Sequence, residues 1–204
     1  MRIRIARAAD VPAILEIYRP YIEETAISFE YSAPPLQAFR ERFAAVTAKC
    51  PWLVCENGDE IMGYAYGAPA FERTAYRWVG DLSVYLRRDA RGRGLGRALY
   101  EVLEAMMAAQ GYQAVYAIVT TANGASIRFH RALGYAEIGM FSDCGFKAGK
   151  WYGVTWLEKR LCPVHVPEAE PTAAPEMDWS GLKFPALRGA GWTVELMNEE
   201  SERK

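Results

Sequence analysis

Arg91-Gly92-Arg93-Gly94-Leu95-Gly96, preceded by Ser83-Val84-Tyr85-Leu86 and followed by Arg97, Leu99, Val102, Leu103 and Met106, is the stretch that decides how this chain folds. The residues up to Leu86 read as a strand, and the apolar positions from Leu95 recur three and four apart, which predicts a helix to about Ala109 that stops before Gly111. Glycines between a strand and a helix let the backbone approach a ligand, and the helix N-terminus adds free amide donors at a positive dipole end. Arg91, Arg93 and Arg97 bring charge to the same spot, so a phosphate or pyrophosphate fits it, the alternative being a turn with no ligand. A Walker-type loop does not match, because Arg97-Ala98 stands where Lys-Ser or Lys-Thr is required. Nor does a dinucleotide fingerprint, since the spacing is GxGxG and the stretch lies in mid-chain.

On the N-terminal side, Ile3 and Ile5 alternate with Arg2, Arg4 and Arg7 as in a half-buried strand. Asp10 reads as an N-cap, with Ile14, Leu15, Ile17, Tyr18, Tyr21 and Ile22 following at helical spacing. Pro34-Pro35 opens a second helix with Leu36, Phe39, Phe43 and Val46 on one face, and Asn57-Gly58-Asp59 is the turn of a hairpin between Trp52-Leu53-Val54 and Ile61 to Tyr66. A further strand spans Arg77 to Leu86. On the C-terminal side, Val115 to Val119 reads as a buried strand, Asn123 to Leu133 as a short helix ended by Gly134, and 136–142 and 151–160 as two more strands. The order β–α–α–β–β–β–α–β–α–β–β predicts an α+β domain with a mixed central sheet flanked by helices.

The chain has 204 residues, 51% of them hydrophobic, and a net charge of −1. That average hides a division: residues 163–204 hold four Lys/Arg and eight Asp/Glu, a net of −4, and leave residues 1–162 at +3. Arginines number 18 against six lysines, which suits bidentate contacts to a small phosphorylated molecule better than the broad basic surface a nucleic acid needs. Cys50, Cys55, Cys144 and Cys162 form no CxxC pair and His130 and His165 lie far apart, so no metal site is expected. No signal peptide and no apolar run of membrane-spanning length is read, and a cytoplasmic location is expected. Prolines 163, 167, 171 and 175 predict an extended linker over 163–178, after which 179–204, with Trp179, Leu182, Phe184, Leu187 and Trp192, is expected to dock on its own body or a partner subunit.

Arg-x-x-Gly-x-Gly after a strand resembles the coenzyme A loop of the GNAT superfamily of N-acetyltransferases, and the resemblance covers about residues 1–160 in the family's element order. Asn123-Gly124-Ala125-Ser126-Ile127-Arg128-Phe129-His130 and Leu133-Gly134-Tyr135 are similar to its second cofactor segment. Ser-Val-Tyr at the strand, Ser-Ile-Arg-x-His on the helix and Gly-Phe-Lys-x-Gly-x-Trp at 145–151 resemble the phosphinothricin and methionine-sulfoximine acetyltransferases. The resemblance implies an enzyme that moves acetyl from acetyl-CoA to the amine of a small amino acid or analogue by direct attack in a ternary complex. A peptide N-terminus, a lysine or a polyamine is an alternative acceptor, and an acyl-CoA sensor without turnover is an alternative from another class. Such enzymes are commonly dimers, so a homodimer is expected.

Residue by residue, the resemblance implies that Val84, Tyr85 and Leu86 pair their backbone with the pantetheine arm, that Arg91, Gly92, Arg93, Gly94, Leu95, Gly96 and Arg97 hold the pyrophosphate, and that Asn123 and Ser126 complete the cofactor site. Asp81 stands where the subgroup has Glu; it reads as the base, acting through water because it is one methylene shorter, or as a strand-edge carboxylate paired with an arginine. His130 takes the place of a tyrosine that protonates the thiolate in many GNAT enzymes, or is a satisfied structural histidine. Phe29 and Glu30, together with Arg73, Thr74, Ala75, Tyr76 and Arg77, are expected to face the acceptor, with core packing as the other reading of the aromatics. Gly153, where the subgroup has Asp, and the long tail depart from the pattern.

Overall fold

The structure is a computed structural model and describes residues 1–196; the rest of the expected 179–204 extension lies outside the described residues. The chain opens with β1 (Arg2–Ile5), α1 (Val11–Glu23) and α2 (Leu36–Thr47), then the hairpin β2 (Trp52–Asn57) and β3 (Glu60–Pro69) and the strand β4 (Val79–Leu86). It continues through α3 (Leu95–Gln110), β5 (Ala114–Thr120), α4 (Gly124–Ala132), β6 (Ala136–Lys147) and β7 (Lys150–Arg160), and ends with α5 (Pro185–Gly189) and β8 (Thr193–Glu195). The strands form one mixed sheet in the order β6-β7-β5-β4-β3-β2-β1-β8.

Each face of that sheet is covered for a reason visible in the side chains. The α3 stripe Leu95, Leu99, Val102, Leu103 and Met106 is fully buried against Leu53, Cys55, Ala65, Leu82 and Val115. On the opposite face Ile14, Tyr18, Ile22, Phe39 and Phe43 of α1 and α2 close over Trp52, Val54 and Tyr64. Alternation along β4 therefore turns Leu82, Val84 and Leu86 towards α3, and Asp81, Ser83 and Tyr85 towards α1.

Two elements differ from the sequence expectation. β6 runs on to Lys147 instead of ending near 142, because Asp143 takes a φ of 46° and the register with β7 shifts between Phe141 and Gly145, a bulge that bends the strand without ending it. β8 is a strand that local sequence does not announce; it lies parallel to β1, with Ile3 opposite Val194.

Residues 163–178 run along the body and are tied to it. Trp78 Nε1 donates to the Ala169 carbonyl at 2.9 Å, and Gln110 Nε2 donates to the carbonyls of Lys49 and Thr172, both at 2.7 Å. Beyond them Trp179, Phe184, Leu187 and Leu196 are buried with the α3-side core of the same chain.

Candidate active site

The site begins where the sheet opens. β4 and β5 are parallel and paired only over Val79–Ala114, Gly80–Val115 and Asp81–Tyr116; past that rung Leu82 to Leu86 and Ala117 to Thr120 diverge. The gap is a narrow cleft of about 60 Å³ lined by Ser83, Val84, Tyr85, Thr120, Asn123 and His130, with Ile27 and Tyr100 at its sides.

The free edge of β4 inside this cleft is itself mostly occupied. Arg87 N–H donates to the Met62 carbonyl, which fixes the alternation: Ser83 and Tyr85 bond to β3, whereas Leu82, Val84 and Leu86 present their peptide groups to the gap. Tyr100 donates its hydroxyl to the Leu82 carbonyl at 3.2 Å. The Tyr21 hydroxyl takes both groups of Leu86, accepting from its N–H at 3.1 Å and donating to its carbonyl at 2.5 Å. Val84 is thus left as the open rung between two tyrosines, a place for an extended chain or a polarised carbonyl to pair.

Asp81 sits at the apex of the fork, on the α1 side. Its Oδ1 is buried with no hydrogen-bond partner, and no basic side chain is paired with it among the described residues, so the arginine-paired alternative is overturned. Burial pushes its carboxyl up to about 7, opposed in part by the Leu82 N–H. Two residues along β4, Ser83 faces Tyr66 of β3; burial raises the Tyr66 phenol above the ordinary tyrosine value, Ser83 opposes the shift and Asp81 adds to it.

His130 lies across the sheet, on the α3 side, and is buried. Its Nδ1 meets the Ser126 carbonyl at 2.8 Å, so Nδ1 carries a proton, and Nε2, left as an acceptor, shares the single Tyr100 hydroxyl proton with the Leu82 carbonyl, at 2.9 Å against 3.2 Å. Burial lowers the imidazole pKa, in keeping with this neutral tautomer. The ring is therefore both structurally satisfied and connected, through Tyr100, to the carbonyl at the cleft edge. Asn123 caps α4, its Oδ1 accepting from Ser126 N–H at 3.2 Å.

The glycine-rich turn stands at the mouth of the cleft. Gly92 and Gly94 take φ of 75° and 79°, the left-handed region, and Gly94 leads into α3 with the helix amides open behind it. Gly96 packs under the ring of Phe129, which sets α3 close on α4. The arginines divide: Arg93 is exposed, Arg91 lies over the Tyr21 ring at 5.1 Å, and Arg97 donates to the Ala132 carbonyl at 3.2 Å. Leu95 buries its side chain in the core, so only its backbone reaches the turn.

The acceptor segments fall into two groups. Phe29 packs on Gly145, and Glu30 accepts from Tyr18 at 3.0 Å and Arg42 at 2.7 Å, close to the α1 side of the fork. Residues 73–77 lie instead before the start of β4, where Thr74, Ala75 and Tyr76 form a short 3-10 turn and Arg73 is exposed. The Tyr76 ring is tilted against Phe71, with centroids 4.7 Å apart, Phe71 lies against Trp156 and Tyr116, and Arg77 is ion-paired with Glu170 of the tail. Tyr21, Tyr66, Tyr100 and Ser83 belong to the site and escape sequence reasoning. For Tyr21 and Tyr100 the signal was a tyrosine on an apolar helix, whose hydroxyl needs a partner once buried.

Comparison with known proteins bears on this geometry. The family model described as an acetyltransferase (GNAT) domain matches residues 3–156. The phosphinothricin N-acetyltransferase of Streptomyces viridochromogenes is 34% identical over 159 residues, 78% of this chain and 87% of that one. The L-methionine sulfoximine/L-methionine sulfone acetyltransferase of Pseudomonas aeruginosa is 34% identical over 164 residues, 79% of this chain and 95% of the relative. Among solved structures, a GNAT superfamily phosphinothricin acetyltransferase from Sinorhizobium meliloti in complex with AcCoA superposes with a TM-score of 0.75 at 32% identity, covering 83% of this chain and 92% of the other.

Proposed function

Because the chain belongs to the GNAT acetyltransferase family and is an acetyl-CoA-dependent N-acyltransferase, we propose that its acceptor is the α-amine of a small amino acid or analogue of the phosphinothricin or methionine sulfoximine type. The observation that carries the reading is the buried, unpartnered Oδ1 of Asp81 at the apex of the β4–β5 fork, next to the open peptide group of Val84. A narrow cleft with one open strand rung and a cationic glycine turn at its mouth fits a thin chain ending in phosphates.

Acetyl-CoA, when bound, supplies an activated acetyl group and a thiolate that leaves. Asp81, titrating near neutrality, takes the proton from the acceptor ammonium, directly or through one water. The Val84 N–H donates to the thioester oxygen as it gains charge. Tyr100 stands on the other face of the sheet and passes its hydroxyl proton to the departing sulfur, regaining one from the water of the cleft, while the accepting Nε2 of His130 orients that hydroxyl. Base and acid are thus separated by the sheet, and the cleft is the passage between them. Gly92 to Arg97 and the α3 N-terminus hold the pyrophosphate, and Asn123 and Ser126 border the arm.

Residues 1–162 form the catalytic domain in this reading, with 163–178 as a connecting strap and the extension from 179 docked on the body. A cytoplasmic location and a homodimer are part of the same reading, the homodimer being supported by the exposed Ile138, Met140 and Phe141 on β6.

Mixing the protein with acetyl-CoA and either phosphinothricin or methionine sulfoximine is expected to release free CoA and the N-acetyl product. Release with peptides, lysine or polyamines alone moves the acceptor to the second class, and tight CoA binding with no turnover on any amine leaves the sensor reading.

A further inference from the structure

Between α1 and α2, residues 24–35 carry Ile27 to the side of the cleft and Phe29 and Glu30 to the α1 side of the fork, but regular secondary structure holds none of them. What holds them comes from the far end of the sequence. Lys147, at the end of β6, is only 6% exposed, and its Nζ donates to the carbonyls of Ile22 and Ser28, both at 2.6 Å. Ile22 lies in the last turn of α1, where helix carbonyls lack an intrahelical partner and the dipole favours a cation. Ser28 in turn bonds Tyr18 at 2.8 Å through its hydroxyl and accepts from the Glu30 N–H at 3.2 Å.

Its neighbours act on the same loop. The Phe29 ring fills the space beside Gly145 so closely that a Cβ there would lie 2.2 Å from it. Tyr31 donates its hydroxyl to the Phe146 carbonyl. Residues 145–147 therefore touch the last turn of α1 at Ile22 and the middle of the loop at Ser28, Phe29 and Tyr31. No carboxylate lies within ion-pair distance of the Lys147 ammonium among the described residues, so the two carbonyls are its direct partners, with the Glu30 carboxylate favouring the charge from further off. Releasing the loop would strand that charge, which makes the contact reciprocal.

We propose that Lys147 is a positioning residue for the acceptor: its buried ammonium, with Gly145 and Phe146, clamps residues 22–31 so that Ile27, Phe29 and Glu30 form a fixed wall of the acceptor pocket. This rests on the acetyl-transfer reading of the fork. Acetyl-CoA is held by the β4 edge, the glycine turn and α4, with Ile27 bordering its cleft, so the clamp acts chiefly on acceptor affinity.

Lys147→Met is expected to raise the acceptor KM about tenfold or more while kcat and the acetyl-CoA KM change less than about threefold. Gly145→Ala, which displaces Phe29 and leaves the ammonium in place, is expected to give the same split and decides the matter if Lys147→Met does not fold. Amide hydrogen exchange at residues 24–31 is expected to speed at least about tenfold in Lys147→Met, with α3 unchanged. Unchanged acceptor KM and loop exchange in a folded variant, or an equal loss for donor and acceptor, overturns the clamp. If the wild-type protein acetylates no amino acid, the substrate reading fails, and the exchange arm still tests the clamp.

Discussion

Asp81 and Tyr116 are the last residues paired between β4 and β5, so the carboxyl occupies the point at which the sheet parts. A carboxyl there, raised to about 7, gives kcat/KM an acidic limb that rises with pH through about 7 as Asp81 ionises. Asp81→Asn is expected to abolish that limb and lower kcat/KM about 10²- to 10³-fold, and Asp81→Glu to stay within about tenfold of wild type. Initial rates of CoA release from pH 5.5 to 9 check this; a wild-type limb that persists in Asp81→Asn assigns the base elsewhere.

The same shift affects stability. The folded value, about 7, exceeds the ordinary 3.8, so the folded state holds the proton more tightly, and stability falls as pH rises from about 4 to about 7. The full cost above that window is at most about 4 kcal/mol, reduced by water reaching the half-open fork. Asp81→Asn is expected to be more stable than wild type by about 2 kcal/mol at pH 8 and no more stable below pH 4, as urea denaturation at the two pH values will show.

Gly94 precedes α3 with a φ of 79°, a conformation that costs an L-residue about 1 kcal/mol or more. Gly94→Ala is expected to raise the acetyl-CoA KM about three- to tenfold with the acceptor KM unchanged. A change confined to the acceptor KM would place the phosphate loop elsewhere.

Tyr100→Phe leaves Nε2 of His130 and the Leu82 carbonyl without their shared hydroxyl. The expected result is a fall in kcat of about tenfold or more at constant acetyl-CoA affinity, measured by steady-state kinetics beside CoA titration. Full activity in this variant removes Tyr100 from the proton path.

Trp179, 5% exposed, belongs to the main core although it lies beyond the family-like region. Trp179→Ala is expected to cost about 3 to 5 kcal/mol, read as a lower thermal midpoint. A neutral result would mean that the extension contributes little to the body's stability.

The parts of the fold legible in the sequence are those where local chemistry and tertiary role agree. The α3 stripe from Leu95 to Met106, the Asn57-Gly58-Asp59 turn and the left-handed glycines each dictate their own conformation. Asp81, Val84 and His130 were reachable through the motifs around them. What escaped depends on partners distant in sequence: β8 forms because β1 offers an edge, Lys147 acquires meaning only beside Ile22 and Ser28, and Tyr21 matters because its hydroxyl meets Leu86. The commitment of Arg77 to Glu170 has the same origin, a charge pair that spacing alone does not reveal.

The two margins of the sheet are unequal. One is the twelve-residue β6, with apolar side chains exposed along it; the other is the three-residue β8, too brief to template another strand. Edge-to-edge growth needs two competent edges per molecule, and the described residues offer one. Any self-association along the strands would therefore stop at a pair related by a twofold axis, without propagating into a filament.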